Sequence, residues 1–222
     1  DPNIVDTASG DATAPDILSG VVAWVDGSEI EGTRAPARVP QTGQSTSYAT
    51  GDDGDLEVGE TWVASTRFVT GTTGSTGVTV VVTDTLTGLV WLQDANCIVN
   101  QYPGFDNDGA VSGDGQVTWQ HALEFVAGMT VAGPYENCAA GFSDWRLPNV
   151  RELHSLIDYG EANPALPNGH PFTSVQTHYY WTSTTRADDT SDVVRVHFTY
   201  GLVDRVSKTG NSIFVWPVRG GE

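Results

Sequence analysis

The stretch GFSDWRLPNVRELHSLIDYG, residues 141–160, decides how the rest of this chain is organised. Asn149 is a favoured N-cap residue, and Glu152 three positions later can return a side-chain hydrogen bond to it. Four apolar residues then recur at the spacing of one helix face, and Gly160 suits the helix end. They are Val150, Leu153, Leu156 and Ile157. Before the cap, Trp145 alternates with charged neighbours, so an extended segment carries its large ring into the core. The stretch therefore predicts a core-forming turn and helix rather than a catalytic site.

The charge balance restricts the class of partner. The 222 residues include 28 acidic and 10 basic side chains, a net charge of −18. A surface this negative repels nucleic acid and anionic membranes, and it makes polyanionic glycans poor ligands. No apolar run is long enough to cross a bilayer. The chain starts at Asp1 without an initiator methionine, as a processed export product would, although a trimmed chain would look the same. We therefore expect a secreted protein of the extracellular space or cell surface.

Cys97 and Cys138 are the only two cysteines of the sequence, and their spacing matches no zinc motif. In an exported protein the simplest interpretation is one disulfide, which would stabilise the fold by about 4 kcal/mol on chain entropy. The alternative is a pair of buried, unpaired thiols.

Residues 1–44 are predicted to be an extended N-terminal arm. Within it, VVAWVDGSEIEGT, residues 21–33, places Asp26-Gly27 between two short extended runs, which is a strong β-hairpin signal. An isolated hairpin is marginal in water, so the arm must dock, either on its own domain or on a neighbouring copy. We favour the neighbouring copy, which would make the protein a homo-oligomer. The assembly residues would then be Val22, Trp24 and Ile30.

Residues 45–222 are predicted to be one α+β domain. One helix is expected within residues 117–129 behind a Thr118 cap, and the second follows Asn149. The apolar runs of residues 78–92 predict a hairpin. Three further strand-like runs close the chain: residues 179–185, residues 193–199 with 202–208, and residues 212–220. Helices followed by an antiparallel meander favour α+β over a parallel sheet.

Several motifs occur in an order that resembles one known family. They are VTDTLTGLVWLQDANC (82–97), TWQHALEFVAGM (118–129), GFSDWRLPNVRELHSLIDY (141–159), NPALP (163–167), HPFTSVQTHYYWTSTT (170–185) and VWPVRGG (215–221). Together with QTGQSTSYATGDDGDL (41–56), they resemble the C-terminal domain family of bacterial collagen-like adhesins. The resemblance implies a C-type-lectin-like fold with two helices and a small upper sheet that bears a ligand-facing surface. It also implies surface display, oligomers and no established enzymatic role.

In such a fold the late strands and their loops form the usual contact area. Nine residues would belong to it here. They are Trp181, Arg186, Asp188, Asp189, Asp192, Arg195, His197, Tyr200 and Arg205. The segment VVRVHFT alternates apolar residues with Arg195 and His197, so one face is expected in the core and the other exposed. That exposed face could bind a sugar or a peptide, or it could be an ordinary solvated strand face.

Two acidic loops contain the oxygen ligands and glycine turns that calcium sites use. The first contains Asp52, Asp53 and Asp55, and the second contains Asp106, Asp108 and Asp114. Neither has the EF-hand spacing, and the chain lacks the Glu-Pro-Asn and Trp-Asn-Asp triplets of calcium-dependent lectins. Calcium is therefore a possible cofactor, and plain Asx-rich surface turns are the favoured interpretation.

The sequence does not support an enzyme. It contains no GxSxG, HExxH, P-loop or GxGxxG motif, and the five histidines (121, 154, 170, 178 and 197) show no metal-ligand spacing. The sequence favours a non-enzymatic recognition or adhesion protein that self-associates through its arm. The alternative is a structural subunit of an extracellular filament or sheath, built by pairing of the arm with a neighbour.

Overall fold

The computed structural model describes residues 4–6, 22–25, 28–31, 39–73, 79–106, 111–209 and 212–220. The chain divides into two compact units, residues 1–39 and residues 40–222. Residues 40–44, which the sequence analysis assigns to the arm, belong to the second unit. The Gln41 amide donates to the Glu60 carbonyl (3.1 Å), and the Thr42 carbonyl accepts from the Tyr159 amide (2.7 Å). Within the described ranges, no helix combines the length and apolar character that a bilayer crossing requires.

The first unit contains a three-stranded sheet. Strands β1 (Ile4–Asp6), β2 (Val22–Val25) and β3 (Ser28–Glu31) lie in the order β1-β2-β3. Strands β2 and β3 pair antiparallel, which confirms the predicted hairpin, although Asp26-Gly27 lies outside the described residues. Strand β1 pairs with β2 in parallel. Sequence patterns do not predict this strand, because three residues with one apolar pair are too short to show a period.

The second unit combines short helices with antiparallel sheets, so the α+β class is confirmed. Among the described residues its helices are α1 (Asp53–Leu56), α2 (Ala64–Arg67), α3 (Cys97–Gln101), α4 (Trp119–Gly128), α5 (Glu136–Ala139) and α6 (Val150–His154). Helices α4 and α6 are the two that the sequence predicts. The other four have one turn each, too little for a helical period to show.

Two sheets complete the second unit. Its strands are β4 (Phe68–Thr73), β5 (Thr79–Asp84), β6 (Val90–Leu92), β7 (Tyr179–Thr185), β8 (Asp192–His197), β9 (Leu202–Ser207) and β10 (Val218–Arg219). One sheet has the order β10-β6-β5-β4, and the other has β7-β8-β9. The predicted run 212–220 is therefore divided: Ile213 and Phe214 bridge to Val117 and Tyr180, and β10 joins the first sheet beside β6.

The stretch 141–160 forms the predicted cap and then departs from the prediction. Asn149 Oδ1 accepts from the Glu152 amide (3.0 Å), and Glu152 Oε2 accepts from the Asn149 amide (2.7 Å), so the capping box is present. Helix α6 nevertheless ends at His154 and not near Gly160. Beyond His154 the chain leaves the helix, since the Asp158 amide donates to the Ala165 carbonyl (3.0 Å). The Ser155 carbonyl accepts a hydrogen bond from the buried Arg67 Nη2 (2.7 Å). The apolar residues beyond His154 are still buried.

Tryptophans dominate the core. Trp91, Trp181 and Trp216 are fully buried, and Trp145 is 5% exposed and donates from Nε1 to the Ala139 carbonyl at 2.6 Å. The core role predicted for Trp145 is thus confirmed. Cys97 of α3 and Cys138 of α5 form a disulfide with a Cα–Cα distance of 6.1 Å, which confirms the predicted pairing.

A buried ion pair ties α2, β5 and the end of α6 together. Arg67 Nε and Nη2 donate to Asp84 Oδ1 and Oδ2 at 2.9 and 2.8 Å, and both side chains are about as buried as any in the core. Asp84 also accepts from the Leu86 amide (3.1 Å) and the Thr87 hydroxyl (2.9 Å). These bonds offset part of the desolvation of both charges, while Arg67 Nη1 is buried without a hydrogen-bond partner.

Candidate functional site

The predicted contact residues on the β7-β8-β9 sheet do not form one surface. Trp181 is completely buried, and its Nε1 donates to the Val117 carbonyl at 2.8 Å. The expectation that Trp181 faces a ligand is wrong. Trp181 lies opposite Arg195 in the β7–β8 register, but its side chain belongs to the hydrophobic core, which covers that part of the sheet face. The other eight residues divide between the two ends of the sheet, about 16 Å apart along β8 at about 3.3 Å per residue.

One end of the sheet presents a histidine–tyrosine cluster, by which we mean His178, Tyr179, His197 and Tyr200. The rings of His197 and Tyr200 are stacked, 1° from parallel with centroids 5.2 Å apart. The Tyr179 ring meets His197 edge-on at 4.2 Å, and the His178 ring lies 5.7 Å from His197. Strand pairing produces this arrangement, because Tyr179 lies opposite His197 in the β7–β8 register.

Arg195 and Asp204 lie beside the cluster and fix the position of Tyr179. Arg195 Nε donates to Asp204 Oδ1 at 2.7 Å, and the Tyr179 hydroxyl donates to Asp204 Oδ2 at 3.0 Å. The Arg195 guanidinium carbon lies 3.5 Å from the Tyr179 ring centroid, in cation–π geometry. The positive charge of Arg195 is thus already paired, so its main effect is to fix Tyr179.

The surroundings of both histidines of the cluster lower their pKa, which favours the neutral rings. Burial, followed by the Arg195 guanidinium, lowers the pKa of His178. Burial, then His178 and then Arg195, lowers the pKa of His197. His197 Nδ1 accepts from the Thr199 amide at 3.0 Å, so the proton of the neutral ring is on Nε2. His197 therefore offers a neutral hydrogen-bond donor.

Exposed apolar side chains adjoin the cluster at the β8–β9 turn. Tyr200 is 60% exposed, and Leu202 and Tyr159 are each 46% exposed. The Tyr159 hydroxyl donates to the Gly201 carbonyl at 3.2 Å. Gly201 has a φ of +77°, and a Cβ there would lie 2.6 Å from Ile157 Cγ2, so only glycine lets the turn approach the end of α6 this closely.

Sequence reasoning missed Tyr159, His178, Tyr179 and Leu202 at this end of the sheet. Tyr179 could have been found, because it lies two residues before Trp181 in the same strand and therefore on the same face of the sheet. Tyr159 reaches the cluster only through the early end of α6, which the sequence does not show.

The opposite end of the sheet holds a charged group whose members pair with one another. Arg186 contacts Asp188 at 2.5 Å and Asp192 at 3.4 Å, and Arg205 lies 3.8 Å from Asp192. Asp189 accepts from the Ser191 amide (3.1 Å) in a local turn. Because these charges are mutually satisfied and exposed, this end matches a solvated strand end better than a ligand site.

The first acidic loop is structural. Asp52 is the N-cap of α1 and accepts amide hydrogen bonds from Tyr48, Ala49 and Asp55. Asp53 accepts from the Thr42 hydroxyl, and Asp55 accepts from the Gly51 amide at 2.8 Å. The carboxylates are thus used as turn and cap acceptors.

In the second acidic loop, Asp106 is buried and Asp114 is half-buried, while Asp108 lies outside the described residues. Wherever the structure describes side chains, no group of three or more His, Cys, Asp and Glu residues is arranged to hold a metal ion.

A shallow groove of about 520 Å³ lies between α4 and the start of α6. Its wall is apolar on the α4 side, where Leu123 and Val126 line it, and Arg146 and Glu152 line the other side. These two form a bidentate ion pair at 2.8 and 2.7 Å. Glu152 is also the capping-box acceptor of the Asn149 amide. Both charged side chains of the groove are therefore already engaged in structural contacts, which does not favour a binding or catalytic role for them.

Fold and site together define an α+β domain that displays an aromatic and polar surface on its small sheet. Residues 80–219 match the family described as the Lcl C-terminal domain. This match covers more than half of the chain, and the chain therefore belongs to that family. A comparison with curated proteins finds no match.

Proposed function

We propose that this chain is an exported, non-enzymatic recognition or adhesion module of the cell surface, and that its ligand binds at the histidine–tyrosine cluster. The observation that carries the proposal is the exposed, stacked His197–Tyr200 pair beside the fixed Arg195–Asp204–Tyr179 network. Flat rings held in place by neighbours lose little entropy on binding, which favours recognition. Membership of the Lcl C-terminal domain family is consistent with an adhesin-like role.

The scaffold we propose is C-type-lectin-like. Its support is the combination of helices α4 and α6, a sheet that joins the late strand β10 to β6, and a separate small sheet β7-β8-β9. In such a scaffold the small sheet carries the ligand, which is where the histidine–tyrosine cluster lies.

The ligand class that fits best is a neutral glycan. The net charge of −18 disfavours polyanions, and the positive charge of Arg195 is already paired with Asp204. The exposed Tyr200 ring can stack on the apolar face of a sugar, and His197 Nε2–H can donate to a hydroxyl. A peptide ligand remains the alternative at the same surface.

A catalytic role is not part of the proposal. The two cysteines are joined in a disulfide, and the histidines of the cluster are held by aromatic rings and by Thr199 rather than beside a nucleophile. This arrangement supports display and not group transfer.

A glycan array probed with the full chain tests the proposal. We expect neutral glycans among the hits, and we expect Tyr200→Ala and His197→Ala to weaken binding at least tenfold. Tyr48→Ala, a similarly exposed tyrosine far along the chain, is the matched control and should leave binding unchanged. Hits that survive both cluster substitutions would exclude this surface.

The second candidate function is a structural subunit of an extracellular filament or sheath. The observation that favours it is the separate unit at residues 1–39, which has its own sheet β1-β2-β3. Short sheets with edge strands pair readily with another copy. Deletion of residues 1–39 distinguishes the two functions: a filament subunit loses its assemblies in electron micrographs, whereas an adhesion module keeps its glycan hits.

A further inference from the structure

The second acidic loop buries a carboxylate oxygen that has no hydrogen-bond partner. Asp106 is 1% exposed, and its Oδ2 accepts from the Gly115 amide at 2.6 Å. Its Oδ1 is equally buried and accepts no hydrogen bond. An oxygen of this kind costs free energy unless a proton or a cation compensates for its desolvation.

A second carboxylate lies next to the first. Asp114 lies between two residues that hydrogen-bond to Asp106: the Gly113 amide donates to the Asp106 carbonyl (3.3 Å), and the Gly115 amide donates to Asp106 Oδ2 (2.6 Å). Asp114 itself accepts from the Gln116 amide (2.9 Å) and from Gln116 Nε2 (2.7 Å). Among the ion pairs of the described residues, none joins a Lys or Arg to either carboxylate. Within the described part of the chain, Asp106 and Asp114 therefore lack a basic partner.

We propose that Asp106 and Asp114 bind a calcium ion, with the side-chain amide of Asn96 as the neighbouring oxygen ligand. Asn96 is almost completely buried, and a Cβ at Gly115 would collide with its Oδ1. The Asn96 amide and the Asp106 carboxylate thus meet at the same glycine. Carboxylate and amide oxygens in irregular positions suit calcium, while magnesium requires near-octahedral geometry and zinc prefers nitrogen and sulfur.

A cation here would connect elements that otherwise meet only through the core. Asn96 is the N-cap residue of α3, and the loop leads directly into Val117, which bridges to Ile213. The charge of Asp114 also acts on His178 of the histidine–tyrosine cluster. A calcium ion bound to Asp114 would therefore change the charge that acts on His178 in the proposed ligand surface.

Calorimetric and thermal titrations of the full chain test the site. After treatment with EGTA and dialysis, we expect Ca²⁺ to bind and to raise the melting temperature by about 5 to 10 °C once its free concentration is a hundredfold above Kd. Mg²⁺ at the same concentration should give a smaller shift. We expect Asp106→Asn and Asp114→Asn each to weaken Ca²⁺ binding at least tenfold.

Two controls make the outcome decisive. Asp55→Asn removes a carboxylate of the other acidic loop and should leave Ca²⁺ affinity unchanged. Because Asp106 is buried, its variant is checked by circular dichroism, and the half-buried Asp114 supplies the second variant. Absence of binding at millimolar Ca²⁺ overturns the site. Binding that both variants retain overturns the assignment equally.

Discussion

Replacement of Asp84 by alanine should be among the most damaging single changes in this domain. The substitution removes both carboxylate oxygens that hold Arg67, and it leaves the guanidinium buried and unpaired. It also leaves the Leu86 amide and the Thr87 hydroxyl without their acceptor. Breaking a buried pair from one side costs about 3–5 kcal/mol, so the melting temperature should fall by roughly 10 to 15 °C.

Guanidinium unfolding followed by tryptophan fluorescence measures this loss, because Trp91 and Trp216 lie in the same core cluster as the neighbouring Phe68. Asp144→Ala breaks the Arg219–Asp144 pair, which has similar distances but whose Asp144 side chain is 55% exposed, and should cost at most about 1 kcal/mol. The double substitution Arg67→Met with Asp84→Leu should recover much of the loss, since no charge then remains buried. If Asp84→Ala cost no more than Asp144→Ala, the argument that this pair ties the elements together would fail.

Two further predictions concern the disulfide and the histidines. Replacing Cys97 and Cys138 by serine should lower the free energy of unfolding by about 4 kcal/mol, and the unreduced native chain should show no reactive thiol after denaturation. Burial lowers the pKa of His154 and His170 in the folded state below the ordinary value near 6.5, so stability should be complete above about pH 6.5 and decrease as the pH falls. Unfolding at pH 7.5 and 5.5 measures the decrease; His170→Gln should reduce it, and an unchanged slope would contradict the assignment.

The sequence predicts the parts of the fold whose signals are local. The Asn149–Glu152 capping box, the Thr118 cap and the β5–β6 hairpin each depend on residues within a few positions of one another, and each is present. Long-range effects decide the rest. Helix α6 ends early where the Asp158 amide donates to the Ala165 carbonyl and the Tyr159 amide to the Thr42 carbonyl, and no local pattern contains that information.

The candidate site shows the same division. The alternation in β8 correctly places Arg195 and His197 on one face, but it cannot tell where along the sheet the core covers that face. The alternation therefore predicts that Trp181 faces outward, although its side chain is buried. It does not show that Tyr179 contacts His197 and Asp204. Side-chain proximity across strands depends on register, which one sequence does not specify.

Strand β10 has a consequence for how the chain matures. Val218 pairs with Trp91 and bridges to Arg146, and Trp216 donates from Nε1 to the Leu92 carbonyl at 2.8 Å. The central sheet consequently cannot close until residues 213–219 have left the ribosome, and contacts of such long sequence separation form slowly. The sheet therefore depends on pairing between segments more than a hundred residues apart, and we expect it to form later in folding than the local β4–β5 and β7–β8 hairpins.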